Sequence, residues 1–430
     1  MALLLKGGRV VDAAAGIDAV LDVVVRDGVI VGVGEDLTIE KGQTIECAEK
    51  VLLPGLADIH VHLREPGQEY KETIATGTRA AAHGGFTAVA CMPNTKPIVD
   101  SGSHVRFVVE RAAATATVRV YPIGAITAGQ AGEQLAEIGD MVAEGAVAFS
   151  DDGRGIASAG MARVAMDYIK RFGMAYVAHC EDVSLAAGGV VNEGVVSTRM
   201  GLPGQPAAAE EVMVAREIAL SELTGCRLHL AHLSTAGSVA LVREAKARGV
   251  SVTCEVTPHH LFLDEDVITT YDPNLKMNPP LRTSADREAL VAALLDGTVD
   301  AIATDHAPHA PHEKELEFEL APFGTTGLET ALSLVNTHLI ATGTLGWADV
   351  SNLMCHGSRA ALGLPEMRLE AGYPADITIV DPEARVEVTP EWFVSRSRNS
   401  AFTGQSLLGK ASDVLVGGQW ALRNGKVVGQ

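Results

Sequence analysis

A His-x-His pair offers the clearest chemistry in this sequence. His60 and His62 end an apolar run that begins at Val51, and Arg64 follows shortly after. Because alternate residues of a β-strand point to the same face, the two imidazoles project together while Val61 faces the other way. Two imidazoles at the end of one strand can chelate a metal ion. Two core histidines with separate hydrogen-bond partners are the alternative, and the pair alone leaves both open.

The elements that must position these histidines alternate regularly between about residues 56 and 342. Short β-branched runs are followed by Ala-rich amphipathic segments, as repeated βα units require. Eight such units predict a (β/α)8 barrel. The predicted strands are 57–62, 87–92, 118–123, 146–149, 175–179, 227–232, 251–256 and 301–304. The predicted helices are 72–83, 104–114, 133–144, 162–172, 208–224, 239–248, 285–295 and 328–340.

The two ends of the chain have a different pattern from the middle. Both carry strand-like alternation and hairpin signals, Asp27-Gly28 near the start and Asn424-Gly425 near the end. We expect residues 1–53 and 368–430 to pair into one small composite β-sandwich. Residues 54–367 would then form the metal-dependent barrel beside it.

Charge and cysteine usage exclude several classes of partner. The formal net charge of −20 argues against nucleic acid and against an anionic membrane surface. The six scattered cysteines form no Cys-x-x-Cys motif, which is typical of a reducing cytosol. No signal peptide or transmembrane run is apparent, so we expect a soluble cytoplasmic protein. An anionic substrate would need a local cation, and Arg64 is a candidate.

Polar side chains gather at the carboxyl ends of the predicted strands, where barrels of this type carry their chemistry. Each one has an ordinary alternative, such as a core histidine, a turn residue or a helix cap. Their joint placement favours a site for two divalent metals instead. The candidate ligands are four histidines and two carboxylates: His60, His62, Asp152, His179, His232 and Asp305.

The ligand types indicate what such a site could do. Imidazole nitrogen and carboxylate oxygen suit zinc, with manganese or cobalt as substitutes. Two metals can share a bridging hydroxide, which is a nucleophile at neutral pH, and one metal can polarise a carbonyl oxygen. Asp305, after the last strand, is the expected general acid/base that delivers a proton to a leaving nitrogen. The sequence shows no competing Ser/His/Asp arrangement and no phosphate-binding glycine loop.

Eight segments of the chain resemble the class I bacterial dihydroorotases of the amidohydrolase superfamily. In order they are PGLADIHVHLREPGQEYKETIATGTRAAAHGGFTAVACMPNT, AFSDDG, AHCED, LAHLST, TPHHL, MNPPLR, ATDHAPH and PFGTTGLET. The resemblance covers nearly the whole chain. It implies a cyclic amidohydrolase that interconverts N-carbamoyl-L-aspartate and dihydroorotate, the third step of pyrimidine synthesis.

The resemblance also implies roles for single residues. His60, His62 and Asp305 would bind one zinc ion, and His179 and His232 would bind the other. The substrate contacts would be His62, Arg64, Asn94, Asn278, His309, Phe323 and Gly324. Arg64 suits a planar carboxylate because its guanidinium can bind both oxygens.

One departure from many relatives concerns the fourth strand. Those relatives bridge the metals with a carboxylated lysine there, whereas this chain has Ser150-Asp151-Asp152. A class of bacterial dihydroorotases has an aspartate at this place, and Asp152 fits it. Asp151 is the alternative ligand, and we expect it to point away. The segment from Asp305 to Gly324 is longer than an ordinary βα loop, so we expect it to lie over the substrate and to move.

Two other functions compete with dihydroorotase activity. A hydantoinase or allantoinase would share the His-x-His motif and the barrel, but those enzymes generally use the missing lysine. A non-catalytic scaffold that assembles aspartate transcarbamoylase would typically lose metal ligands, and this chain keeps all of them. A homodimer and an association of the active enzyme with aspartate transcarbamoylase both stay open.

Overall fold

Residues 2–428 are described by a computed structural model in which a parallel barrel lies beside a sheet formed by both chain ends. The strands up to the middle of the barrel are β1 (Ala2–Asp12), β2 (Ile17–Arg26), β3 (Val29–Gly34), β4 (Gln43–Glu46), β5 (Val51–Pro54), β6 (Leu56–Val61), β7 (Phe86–Cys91), β8 (Arg119–Gly124), β9 (Ala148–Ser150) and β10 (Ala175–Ala178). The later strands are β11 (Val191–Asn192), β12 (Gly204–Gln205), β13 (Arg227–Leu230), β14 (Val252–Val256), β15 (Ala301–Ile302), β16 (Ile377–Glu387), β17 (Ser406–Val416), β18 (Gln419–Arg423) and β19 (Lys426–Val427).

The helices alternate with the barrel strands. They are α1 (Ile74–His83), α2 (Gly102–Thr115), α3 (Ile138–Ala143), α4 (Ala159–Ile169), α5 (Val183–Ala186), α6 (Val195–Met200), α7 (Ala208–Thr224), α8 (Ala236–Ala247), α9 (Pro258–Phe262), α10 (Ser284–Leu295), α11 (Pro311–Lys314), α12 (Ala331–Val335), α13 (Trp347–Ser351) and α14 (Gly357–Leu362). Within residues 2–428, none of these helices has the length and apolar character needed to cross a bilayer.

Local hydrogen bonds determine where several helices begin. Thr73 accepts a hydrogen bond from the amide of Thr76 at 3.0 Å, so α1 begins at Ile74 rather than at residue 72. The predicted helix 133–144 is wrong over its first part. Leu135 pairs with Thr127 in an isolated β-bridge, and α3 therefore begins only at Ile138.

Eight parallel strands form the barrel in the order β6, β7, β8, β9, β10, β13, β14, β15. The first and last strands meet through Val61, which pairs with His306, and through the amide of His62, which donates to the carbonyl of His306 at 2.9 Å. The largest apolar cluster includes strand residues such as Val89 and helix residues such as Val105. The (β/α)8 barrel predicted from the eight repeated units is confirmed.

The two chain ends meet in a second sheet, where β5 pairs antiparallel with β16. This nine-stranded sheet runs in the order β19, β18, β17, β16, β5, β1, β2, β3, with β4 also paired to β1. It has its own apolar cluster, which joins Leu5 and Val23 from the start of the chain to Ile377 and Leu415 from its end. The composite β-structure of both termini is confirmed, while the domain boundaries at residues 53 and 368 stay a prediction.

One C-terminal stretch leaves this sheet and packs on the barrel. Between β16 and β17, Phe393 and Phe402 are buried in an apolar cluster with Met277 and Leu281. The chain between these two phenylalanines therefore lies against the segments that follow the barrel strands, and it includes residues 394–401.

A half-buried ion pair joins the barrel to the terminal sheet. Arg119 of β8 donates from Nε to Asp376 Oδ2 at 2.6 Å and from Nη2 to Oδ1 at 3.0 Å; the Asp376 side chain is fully buried, whereas that of Arg119 is 37% exposed. Arg119→Met leaves this carboxylate without its cation, so we expect the free energy of unfolding to fall by about 2 kcal/mol, less than for a fully buried pair because water reaches Arg119. Denaturant-induced unfolding followed by circular dichroism measures the change.

A surface pair provides the matched control. Arg9 and Asp18 lie 2.7 Å apart with side chains 48% and 46% exposed. Because water screens this pair, Arg9→Met should lower the free energy of unfolding by less than about 1 kcal/mol. Equal losses in the two variants would contradict the role given to the Arg119–Asp376 pair.

Candidate active site

The carboxyl ends of the barrel strands surround a cavity of about 220 Å³. Every predicted site residue except His60 lines it, together with Gly153 and Ala307. His60 lies directly behind the lining and is fully buried. The residues that line the cavity are His62, Arg64, Asn94, Asp152, Gly153, His179, His232, Asn278, Asp305, Ala307, His309, Phe323 and Gly324. The structure thus brings together all the residues that the sequence placed at the strand ends.

One group of possible ligands lies where the first and last strands meet. His62 Nε2 is 2.9 Å from Asp305 Oδ1, and His60 Nε2 is 3.6 Å from the same oxygen. All three offer ligand atoms within 4.8 Å of one another. Both histidines come from the end of β6 and the aspartate follows β15, so closure of the barrel creates this group.

A second group is centred on Asp152, which follows β9. Its Oδ1 lies 3.4 Å from His60 Nε2. The same oxygen lies 3.7 Å from both His179 Nδ1 and His232 Nε2. These two histidines follow the neighbouring strands β10 and β13, and their facing nitrogens are 2.9 Å apart. Asp152 therefore lies between the histidines of the first group and those of the second.

The inner atoms of this cluster fit a metal centre. Within residues 2–428, His60 Nε2 and Asp152 Oδ1 are buried without a hydrogen-bond partner. Leaving such polar atoms unsatisfied is costly, so native structures seldom do it. Imidazole nitrogens and carboxylate oxygens at this spacing match the donor set of zinc and similar divalent ions.

Oxygen atoms outside the cluster orient three of the imidazoles. In each ring, the nitrogen that faces away from the cluster contacts an oxygen acceptor, which holds the proton there and leaves the inner nitrogen free to bind a metal. The contacts are His60 Nδ1 to Glu255 Oε1 at 2.5 Å, His62 Nδ1 to Asn94 Oδ1 at 2.8 Å and His179 Nε2 to Glu181 Oε2 at 3.2 Å.

Sequence reasoning did not assign Glu255 to the site. Its side chain is 1% exposed, and Oε2 also lies 3.1 Å from His229 Nε2. Burial alone would raise the pKa of Glu255, but the field of His60 and the hydrogen bond from His229 hold it well below its usual value. An acidic residue inside the otherwise apolar strand β14 is the signal that could have identified it.

The two candidate acidic ligands remain ionised at neutral pH. Burial raises the pKa of Asp305, but the field of His60 and the hydrogen bond from His62 lower it to about 2. Asp152 is buried as well, and the field of His60 holds its pKa well below the usual range. Both carboxylates can therefore act as anionic ligands.

The backbone turns sharply at three site residues. Arg64, His232 and Asp305 have φ values of 61°, 34° and 47°. Residues other than glycine rarely adopt this left-handed region, and such strain concentrates at functional sites. At these points the chain leaves a strand and directs a side chain into the cavity. The sequence carried no signal for these turns.

Asp151, the alternative ligand on the fourth strand, is turned away from the cluster. Its Oδ1 accepts hydrogen bonds from the amides of Ile126 at 2.8 Å and Thr127 at 3.1 Å. Asp152 is therefore the aspartate of this strand that faces the histidines.

The outer end of the cavity is cationic. Arg64 is 8% exposed; its Nε donates to the carbonyl of Pro308 at 3.2 Å, and its Nη2 lies 3.4 Å from His309 Nε2. Lys71, which sequence reasoning did not assign, donates from Nζ to His309 Nδ1 at 3.3 Å. Burial and these two cations lower the pKa of His309, so its ring is neutral and Nε2 donates to the carbonyl of Phe323 at 2.8 Å.

Asn94 and Asn278 make hydrogen bonds to carboxylates at the inner end of the cavity. Asn94 donates from Nδ2 to Asp152 Oδ2 at 3.2 Å. Asn278 donates from Nδ2 to Glu181 Oε2 at 2.7 Å, while its own Oδ1 is buried without a hydrogen-bond partner in the described chain. This oxygen can accept a hydrogen bond from a ligand.

The segment from Asp305 to Gly324 supplies one wall of the cavity through Ala307, His309 and Phe323. Two lysines hold this segment in place, Lys276 from outside it and Lys314 from within it. Lys276 Nζ donates to the carbonyl of Ala321 at 2.7 Å, and Lys314 Nζ donates to that of Pro322 at 2.8 Å. The expected position beside the ligand cavity agrees with this geometry, and the expected motion of the segment stays a prediction.

Comparisons with known proteins agree with the geometry. A family model described as dihydro-orotase-like matches residues 49–238. A dihydroorotase of Pelotomaculum thermopropionicum is 52% identical over 424 residues, which cover 99% of each chain. A dihydroorotase of Citrifermentans bemidjiense is 49% identical over 420 residues, covering 97% of this chain and 99% of the relative.

Solved structures of cyclic amidohydrolases share the fold. An L-hydantoinase from Arthrobacter aurescens superposes with a TM-score of 0.90 at 25% identity, covering 100% of this chain and 97% of the other. A dihydropyrimidinase from Brevibacillus agri gives a TM-score of 0.88 at 22% identity, covering 100% and 96%. The chain is therefore a hydrolase acting on cyclic amides, and with about half of its residues identical to those of full-length dihydroorotases it belongs to the dihydroorotase family.

Proposed function

We propose that this protein is a zinc-dependent dihydroorotase that interconverts N-carbamoyl-L-aspartate and (S)-dihydroorotate in cytoplasmic pyrimidine (UMP) biosynthesis. The observation that carries the proposal is the pairing of two chemistries in one cavity of about 220 Å³. A cluster suited to metals forms the inner end, and Arg64 makes the outer end cationic, with the neutral His309 ring beside it. A cyclic amide that bears a carboxylate matches both ends.

Two zinc ions are the proposed cofactors. His60, His62 and Asp305 would hold one, and His179 and His232 would hold the other, with Asp152 between them. When bound, such ions supply a hydroxide at neutral pH and polarise the amide carbonyl that it attacks.

Asp305 is the proposed proton carrier. Its side chain is 13% exposed, so it reaches both the cluster and the cavity. In hydrolysis a C–O bond forms and the ring C–N bond breaks. Asp305 takes the proton from the attacking water and gives it to the leaving nitrogen, and in cyclisation the same carboxylate moves the proton back. His62 Nε2 lies 2.9 Å from Oδ1 of this carboxylate, so the two side chains would share one metal ion, which would hold the carboxylate in place.

Arg64, Asn94 and His309 are proposed to bind the carboxylate of the substrate. The guanidinium can pair with both carboxylate oxygens, which a point charge cannot do. This local cation is needed because the chain as a whole carries a net charge of −20. The free Oδ1 of Asn278 would accept a hydrogen bond from a ring N–H, with Phe323 and Gly324 beside the ring.

Hydantoin hydrolysis is the second candidate, because the chain superposes on an L-hydantoinase with a TM-score of 0.90. The carboxylate-binding end distinguishes the two, since hydantoin itself carries no carboxylate for Arg64 to bind. The homodimer and the association with aspartate transcarbamoylase stay open.

Turnover of L-dihydroorotate tests the function directly. The purified zinc-loaded protein should hydrolyse dihydroorotate much faster than hydantoin or allantoin, because only dihydroorotate offers a carboxylate to Arg64. Chelation should abolish turnover and added zinc should restore it. If zinc is bound but only another ring is hydrolysed, the metal site would stand and the proposed substrate would be wrong. Absence of both zinc binding and turnover of any ring, even after zinc is supplied, would favour the scaffold function.

Asp305→Asn tests the proton carrier. The amide keeps an oxygen for the metal but cannot take up a proton, so turnover should fall by a factor on the order of a hundred or more. Metal content, measured by elemental analysis of the purified variant, should stay nearly the same. Near-normal turnover would remove Asp305 from this role.

Asp152→Ala tests the central ligand. Because Asp152 lies between both groups of histidines, its loss should lower the metal-to-protein ratio measured after dialysis. Asp151→Asn is the matched control, since Asp151 faces the amides of Ile126 and Thr127 instead. Two tightly held metals in Asp152→Ala, or metal loss in Asp151→Asn alone, would reverse the assignment.

A further inference from the structure

The side chain of Asn399, in the stretch between β16 and β17, hydrogen-bonds to two walls of the cavity. One wall is formed by residues 307–309 and the other by residues 323–325. Asn399 is 6% exposed and lies outside the set of described residues that line the cavity. Its Oδ1 accepts a hydrogen bond from the amide of His309 at 2.9 Å. Its Nδ2 donates to the carbonyls of Ala307 at 3.0 Å and Gly324 at 3.2 Å. All three partners are residues that line the outer end of the cavity.

The main chain of Asn399 is also hydrogen-bonded to the wall that contains Gly324 and Thr325. Its carbonyl accepts hydrogen bonds from the amide of Thr326 at 2.8 Å and from Thr325 Oγ1 at 3.1 Å. Phe402, three residues on, is 1% exposed in the apolar cluster that joins this stretch to the barrel. Asn399 is therefore held in place by its own backbone hydrogen bonds and by the burial of Phe402, and its side chain bonds to both walls.

The distance between these walls determines where the His309 ring lies. The ring donates from Nε2 to the carbonyl of Phe323 on the opposite wall, at 2.8 Å. The two walls are close together beside this contact: a Cβ added to Gly324 would lie only 2.5 Å from the Cβ of Ala307, which is too close for a side chain. Gly324 also has a φ of 118°, which side chains disfavour. A backbone hydrogen bond from the Ala307 amide to the Thr325 carbonyl at 2.9 Å also joins the walls. Asn399 adds bonds to both sides of this contact, so its loss would loosen the position of the ring that faces Arg64.

We propose that Asn399 is a positioning residue that sets the affinity for the substrate carboxylate without touching the substrate. This inference rests on the proposed function for the nature of the ligand. The metal cluster is held by other contacts, through Glu255, Asn94 and Glu181. Loss of Asn399 should therefore weaken substrate binding much more than it slows the chemical step.

Asn399→Ala is the first test. Removing three hydrogen bonds to the cavity walls should raise the KM for dihydroorotate about tenfold or more, with kcat within about threefold of the wild-type value. Zinc content should be unchanged. A KM within about twofold of the wild-type value would overturn the inference.

Asn399→Asp separates hydrogen bonding from packing, because the two side chains have nearly the same shape. Aspartate can still accept from the His309 amide, but it places an oxygen against the carbonyls of Ala307 and Gly324. Its KM should therefore rise at least as much as in Asn399→Ala. A wild-type KM in this variant would show that the residue only fills space.

Asn336→Ala is the matched control. Asn336 is 2% exposed and also donates from Nδ2 to two carbonyls, those of Pro382 at 3.0 Å and Leu408 at 2.9 Å, but these belong to strands β16 and β17 of the terminal sheet. This variant should lose stability and keep its KM. A KM raised equally in both variants would mean that general destabilisation, and not positioning, is the cause.

Hydrogen–deuterium exchange provides a readout that needs no substrate. The amides of Ala307, His309 and residues 323–325 should exchange faster in Asn399→Ala than in the wild type or in Asn336→Ala. Unchanged exchange would overturn the inference even if dihydroorotate were not a substrate. Absence of dihydroorotate turnover by the wild-type protein would instead contradict the proposed function, so the two failures are distinguishable.

Discussion

Compensation of the buried charge on Asp152 is the constraint on which the site depends. A carboxylate that is 4% exposed is stable only with opposite charge or hydrogen-bond donors around it. Four imidazoles lie between 3.4 and 3.7 Å from its oxygens. They arrive from the ends of β6, β10 and β13, so the site exists only when the barrel is closed. A divalent cation would satisfy His60 Nε2 and Asp152 Oδ1, which have no hydrogen-bond partner within residues 2–428.

The arrangement of charges in the barrel also explains how an acidic protein can bind an anionic ligand. The chain as a whole carries a net charge of −20, and the inner end of the cavity holds the carboxylates of Asp152 and Asp305. Arg64 and the neutral His309 line the outer end of the same cavity of about 220 Å³, and Lys71 contacts His309 from outside the lining. Because the carboxylates lie at one end and the cation at the other, one small cavity can hold both a metal cluster and the carboxylate of a ligand, as the proposed reaction requires.

The sequence predicted the barrel and all of the residues that gather at its strand ends, because parallel strands bring their carboxyl ends to one face. It did not predict Glu255 or Asn399, which reach site residues 195 and 90 positions away in the chain. Contacts of that range follow from tertiary packing; Glu255 left one local signal, as an acidic residue inside strand β14, and Asn399 left none. The sequence also did not predict the left-handed turns at Arg64, His232 and Asp305, because tertiary structure imposes them against the local backbone preference.

Location of bound zinc is the most direct test of this account. Crystals of the zinc-loaded protein, measured on both sides of the zinc absorption edge, should show two anomalous peaks about 3.5–4 Å apart. One should lie beside His62 and Asp305 and the other beside His179 and His232, with Asp152 contacting both. A single peak, or zinc bound elsewhere with none at Asp152, would contradict the account.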